Sequence, residues 1–314
     1  MRRLLISFYG AMILLLSAGC GILPVRYERA FSYTAPWNDY DRVVVRTRNG
    51  DVTLASAHVD QIRIDGTLRA EHITQYDVEN YVDQIEIAYR DDELDPRVFL
   101  IELTVPAVLR NKAVGAEFHV LVPTPCEAKI HTSNGDVEVR KLKGGADLQT
   151  SNGRVFAENI VGPLDVRTSN GQIRAVYVEG GVTADTSNGR VVVDGVKGDC
   201  QLGTSNGMIH AGAVQGGVRA ETSNGDIEVN ARPGTDGQVI LKTSNGDIDV
   251  DLPTDLTGTI ELETSNGIVR IDTGMMMLAR VSQSKRRFSA DMNGGGIARI
   301  EARSSNGSVT LNCR

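Results

Sequence analysis

Hydrophobic positions in the second half of this chain alternate with polar ones on both sides of a recurring tetrapeptide, Thr-Ser-Asn-Gly. Aligned on the threonine, an aliphatic residue stands two before it at Ile130, Leu148, Val166, Ala184, Leu202, Ala220, Leu241 and Leu262. Further aliphatics stand five after it (Val137, Val155, Ile173, Val191, Ile209, Ile227, Ile248, Val269) and seven after it. Residues between these columns are mostly charged or polar, so each repeat predicts two strands with one buried face apiece.

The threonines that open the motif are Thr132, Thr150, Thr168, Thr186, Thr204 and Thr222, a constant 18 residues apart, then Thr243 and Thr264 at steps of 21. The corresponding turns are Asn134-Gly135, Asn152-Gly153, Asn170-Gly171, Asn188-Gly189, Asn206-Gly207, Asn224-Gly225, Asn245-Gly246 and Asn266-Gly267. Degenerate copies flank the array at Thr47-Arg48-Asn49-Gly50 and Ser304-Ser305-Asn306-Gly307. The motif glycines are expected to supply positive φ. A second glycine column (Gly144, Gly162, Gly180, Gly198, Gly216) follows an aliphatic residue expected to plug the other corner.

Asn-Gly between alternating runs is ordinarily a hairpin signal, which makes an antiparallel meander the rival topology. A fixed period with two different turns, and identical residues at identical phase, favours a coil that returns above its own start. The predicted fold is therefore all-β: a parallel β-solenoid (β-helix) with coils of 18 to 21 residues and threonine and asparagine ladders. Eight full-motif coils would span about 40 Å at the usual strand spacing. With aromatics at only 5% of the chain, the predicted interior is thin.

Open sheet edges need caps. At the start, Arg42 to Leu54 reads as one outlying coil in the same phase, and Val78, Tyr81, Val82 and Ile85 have helical spacing after a Thr74–Asp77 cap. Strands are expected near 85–90, 98–105 and 116–122. At the other end, residues 273–303 break the period; Met275, Met276, Met277 and Phe288 are expected to cover the last coil, with Val309 and Leu311 back in phase. The domain plan is 1–19 signal peptide, 20–41 tether, 42–127 N-terminal coil and cap region, 128–272 regular solenoid, and 273–314 C-terminal coils and cap. Pro24, Pro36 and Trp37 leave a docked strand open as the alternative to a tether.

The leader carries Arg2 and Arg3, then an apolar run from Leu4 to Leu16, too short for a membrane span. Leu16-Ser17-Ala18-Gly19-Cys20 resembles the lipobox of bacterial lipoproteins. That resemblance implies acylation (palmitate) at Cys20, membrane attachment through the lipid, and a cell-envelope location, the outer membrane in a Gram-negative host. An ordinary secretory signal is the alternative. Without residues 1–19 the chain keeps 31 Lys and Arg against 40 Asp and Glu, an acidic balance that argues against nucleic acid as a partner. Of the remaining cysteines, Cys200 falls in an aliphatic column, and Cys126 and Cys313 stand at opposite ends of the array, so no essential disulfide is expected.

The run Val120-Leu121-Val122-Pro123-Thr124-Pro125, followed by Ile130-His131-Thr132-Ser133-Asn134-Gly135-Asp136-Val137 and the repeated motif, resembles the bacterial adhesin-type β-strand-repeat family (domain of unknown function 4097 type). The resemblance covers roughly residues 42–312 and implies the solenoid fold. It brings no catalytic motif, and an adhesive role would rest on analogy of fold.

Chemistry is sparse. The five histidines are scattered, with no ligand-like pairing, and neither a nucleophile elbow nor a phosphate loop occurs. The weak metal candidate is the acidic set Asp226, Glu228, Asp247 and Asp249 on adjacent coils, where opposed like charges call for a neutralising partner such as Ca²⁺. The competing expectation is a solvated acidic face with Arg270 in the next coil beside Asp249. No cofactor is expected. Asn293-Gly294, outside the array, is expected to be the Asn-Gly pair most open to deamidation. The reading is a non-enzymatic, lipid-anchored, adhesin-like or structural binding scaffold for an unknown protein or glycan. An envelope-stress or signalling accessory acting on a membrane partner is the alternative, and a glycan-active β-helix enzyme a second one.

Overall fold

A computed structural model describes residues 7–10, 25–72 and 74–314. Cys20 and most of the leader lie outside the described residues, and among those described no helix is long and apolar enough to cross a membrane. The chain divides into two compact units, residues 1–152 and 153–314.

The second unit is a parallel β-solenoid. Each coil contributes one strand to each of two sheets, and like residues pair with like: Val182 with Cys200 and Val218, Thr186 with Thr204 and Thr222, Ile173 with Val191 and Ile209. The predicted inward columns are buried, with Leu202 2% and Ala211 0% exposed. Burial of each Val, Leu or Ile contributes about 1.5–3 kcal/mol against the entropy of ordering the coil. The corner plugs Ile160, Val178, Val196 and Val214 are buried as well.

The motif threonines face inward and are buried at both units' corners. Thr186, Thr204 and Thr222 each donate Oγ1–H to a glycine carbonyl of the coil beneath (Gly171, Gly189, Gly207) at 3.1 Å. The asparagines form the predicted amide ladder: Asn188 donates to Asn170, Asn206 to Asn188, Asn224 to Asn206 and Asn245 to Asn224, at 2.8–2.9 Å. Such bonds satisfy groups that the turn would otherwise leave without partners.

The role of the motif glycines differs from the expectation. They are not in the positive-φ region. What requires glycine is contact between coils: a Cβ on Gly189, Gly207, Gly225 or Gly246 would stand 1.9–2.0 Å from the glycine carbonyl oxygen below. Positive φ occurs instead in the second glycine column, at Gly144, Gly162 and Gly180, and nine residues after the threonine, at Lys141, Asn159, Tyr177, Gly195 and Ala213. Only one of the latter five is glycine, so the kink before each corner plug was invisible to composition.

Chain order and stacking order part company near the C-terminus. Residues 258–272 do not rest on 238–252, because the C-terminal strands Ala298–Asn306 and Val309–Cys313 lie between them, in parallel with both. The uninterrupted array expected for 128–272 is corrected accordingly. Strand Arg287–Met292 then pairs antiparallel with Gly258–Glu263 and buries Phe288 against that edge, and Leu278–Gln283 adds the outermost strand. Of the three methionines expected to cover this end, Met276 is buried, whereas Met275 and Met277 are 92% and 72% exposed. The side chain of Asn293, in the Asn-Gly pair expected to be most open to deamidation, is engaged. Its amide donates to the carbonyls of Thr254 and Leu256 and accepts from the Met277 N–H.

The first unit follows the same logic with heavier capping. The outlying coil, Arg42–Arg46 and Val52–Ala57, is sandwiched between strands at 127–140 and strands at 98–123. Asn134 donates to Asn49 at 2.7 Å, Asn152 donates to Asn134 at 2.8 Å, and Asn49 ends the run on the Val114 carbonyl. Residues 25–36, expected within a tether, form a twelve-residue strand paired along its length with 61–72, which in turn pairs with 113–121. The docked-strand alternative is therefore the one observed. Ser7–Gly10 pairs antiparallel with Arg29–Ser32. Helix Gln75–Asp83 starts where predicted, with the Thr74 side chain accepting the Asp77 N–H, and buries Val78 and Val82. Tyr33 stacks on Tyr89 at 4.1 Å, and Phe31 meets Phe118 edge-on at 5.6 Å.

Candidate functional site

The outward face of the second unit carries a shallow groove of about 410 Å³. Its position follows from one column, the residue before each motif threonine. That residue is Arg167, Asp185, Glu221, Lys242 and Glu263 in other coils but Gly203 in one. A missing side chain opens a notch one coil high. The neighbouring Asp185 leans across it, so that a Cβ on Gly203 would meet Asp185 Oδ1 at 2.3 Å. Glu221 forms the opposite wall, held by Arg219 at 2.6 Å and by Lys242 at 3.8 Å. The exposed hydroxyls of Ser205, Ser223 and Ser244 line one side at the inter-coil spacing.

Partial burial raises the Asp185 carboxyl above its ordinary value; Arg167 opposes the rise and Asp165 adds to it. The groove thus offers carboxylate acceptors, serine hydroxyls that both donate and accept, and one ammonium donor. That set matches a hydroxyl-rich ligand. The turn asparagines expected as repeat-turn residues spend their amides on one another. Gly203 is the one glycine in its column, a departure legible in the aligned sequence.

The acidic set Asp226, Glu228, Asp247 and Asp249 is held together by backbone and by a histidine. Asp226 Oδ1 accepts the Asp247 N–H at 2.9 Å, and Asp247 Oδ1 accepts the Ser308 N–H at 2.7 Å. Glu228 meets His210 Nδ1 at 2.9 Å. Among the described residues no three His, Cys, Asp or Glu converge in a metal-ligating group. Arg270 is not beside Asp249, since Thr310 of the sandwiched coil pairs with both. Cys126, Cys200 and Cys313 are free and buried. Burial pushes the thiols of Cys126 and Cys200 up to about 12 and that of Cys313 up to about 11, which keeps them protonated and unreactive at neutral pH.

No curated protein matches the chain. Three similar solved structures are candidate adhesins. That of Parabacteroides distasonis ATCC 8503 is 15% identical over 90% of this chain and 96% of its own, with a TM-score of 0.41. That of Bacteroides fragilis NCTC 9343 is 13% identical over 90% and 96%, with a TM-score of 0.37. The third, from Parabacteroides merdae ATCC 43184, is 11% identical over 90% and 95%, with a TM-score of 0.34. A family model, Toastrack DUF4097, matches residues 180–312, the stretch that holds most of the groove and the sandwiched C-terminal coil. Over that stretch the chain is similar to the Toastrack DUF4097 family.

Proposed function

We propose that the protein is a non-enzymatic, adhesin-like binding scaffold of the bacterial envelope, anchored by lipid at Cys20, and that it takes a glycan in the groove beside Gly203. The observation that carries the ligand class is the lining: Asp185, Glu221, Lys242 and three serine hydroxyls at one-coil intervals on a rigid sheet. Sugar hydroxyls both donate and accept, and a preorganised polar face binds them at little ordering cost in the protein. The envelope address rests on the leader and its Cys20 lipobox.

Gly203→Gln tests the ligand site. Every neighbouring coil carries a side chain at that position, and the atom displaced is the mobile end of Asp185. Wild-type protein should retain spots on a glycan array that Gly203→Gln loses, with an unchanged melting temperature. Equal binding by both would remove the groove from the reading. Antibody binding to intact and to permeabilised cells tests the address. Signal on intact cells supports adhesion, and signal only after permeabilisation favours the envelope-stress accessory role.

A further inference from the structure

The coil at residues 298–313 is a guest between two hosts. Its strands continue both ladders without a register shift: Thr243 pairs with Ser304, which pairs with Thr264. On one side Ser304 Oγ donates to the Gly246 carbonyl at 2.9 Å and Asn306 donates to Asn245 at 2.9 Å. On the other, Thr264 Oγ1 donates to the Gly307 carbonyl at 2.6 Å and Asn266 donates to Asn306 at 2.9 Å. These are the bonds that join sequence-adjacent coils elsewhere in the unit. The guest thus sits in motif phase although it is out of chain order.

The connection into the guest is rich in glycine. Gly294, Gly295 and Gly296 precede it in a row, the first two at φ +86° and +87°, and a Cβ built on either would meet nothing within 4 Å. A glycine-rich connection, a guest whose ladder bonds repeat those of the other coils, and host walls that are identical in every copy are the ingredients of strand exchange between identical chains. We propose that residues 298–313 of one copy insert between the 238–252 and 258–272 coils of a second copy, giving a reciprocal, strand-swapped dimer. Closed and swapped forms make the same ladder bonds, so the balance is set by the hinge and by concentration. This inference is independent of the glycan reading.

Leu252 pairs in register with Cys313 across the host–guest boundary, which supplies a reporter. The full chain carrying Leu252→Cys, with Cys20→Ser, Cys126→Ala and Cys200→Val to remove the other thiols, is prepared with two tags of different size. The preparations are mixed, held a few degrees below the melting temperature, cooled, oxidised and run on a non-reducing gel. A mixed-tag covalent dimer that rises with protein concentration is the expected result. Monomers closed by an internal disulfide at every concentration would overturn the proposal. Deleting Gly294 and Gly295 from the otherwise native chain is the second arm, read by light scattering. A shift of at least tenfold toward dimer is expected. A folded monomer, or aggregate without a discrete dimer, counts against exchange and decides the matter if the reporter pair fails to oxidise.

Discussion

At the N-terminal end the sandwiched coil, residues 42–57, precedes in the chain both of the coils that flank it; at the C-terminal end the sandwiched coil, residues 298–313, follows both. The first can serve as the template on which 98–123 and 127–140 are laid. The second fills a slot between two coils that precede it in the chain and whose motifs match each other. The capping differs in the same sense. The first unit closes with strands of twelve residues, a capped helix and a cluster of aromatic rings. In the second, closure rests on one hairpin, three glycines and exposed Met275 and Met277. Equal ladders with unequal closure imply that the C-terminal end opens at lower cost.

The comparison breaks first at the glycine contacts. Gly207→Val should cost more than 4 kcal/mol or prevent folding, because the added Cβ meets backbone 2.0 Å away on a coil that cannot retreat. Gly50→Val should do the same in the first unit, where the nearest oxygen is Ala116 O at 1.8 Å. Thermal melts of both variants read this directly, and a tolerated valine at either site would discard the close-contact account.

Next come the two sandwiched coils. Leu54→Ala and Leu311→Ala each remove a side chain that is 0% exposed, and each should cost about 2–5 kcal/mol in global unfolding. Hydrogen exchange sharpens the contrast: amides of 298–306 should exchange through a smaller opening than those of 42–46. Equal protection would dismiss the difference between the ends.

Smaller effects probe single ladder rungs. Asn206→Ala removes one bond to Asn188 and leaves Asn224 without its acceptor, for a loss of about 1–2 kcal/mol by melting. Ala213→Gly relieves a left-handed residue at φ +49° and should gain up to about 1 kcal/mol, and Lys141→Gly offers the same gain in the first unit.

The smallest expected effect belongs to Asp185. Its folded-state pKa is raised, so the folded form holds the proton more tightly than the unfolded one, and stability falls as pH rises through the carboxylate range. Asp185→Asn removes that loss. Its melting temperature should exceed that of the wild type at neutral pH, and the gap should shrink as the pH drops below the ordinary aspartate value. A gap of the opposite sign would mean that the carboxylate is stabilised where it lies.

Much of this molecule was written in the period. Fixed spacing of Thr, Asn and aliphatic columns specifies coil length, inward face and ladder, because parallel stacking rewards identical residues at identical phase. The Thr74 cap was legible for the same kind of reason, a local hydrogen bond between residues three apart. Gly203 could have been found as a departure within a column. The left-handed kink at Asn159, Tyr177 and Ala213 could not, since nothing in those side chains announces it.

By itself, then, the sequence determined the repeat unit: its strands, its buried threonines and the near-equivalence of its coils. That same equivalence is why it left the order of layers open. Motif copies as alike as those at Asn245, Asn266 and Asn306 cannot say which neighbour each will take. Only the tertiary structure decided that, through the reach of the linkers at 253–257 and 293–297 and the need to bury Phe288 against the strand at 258–263.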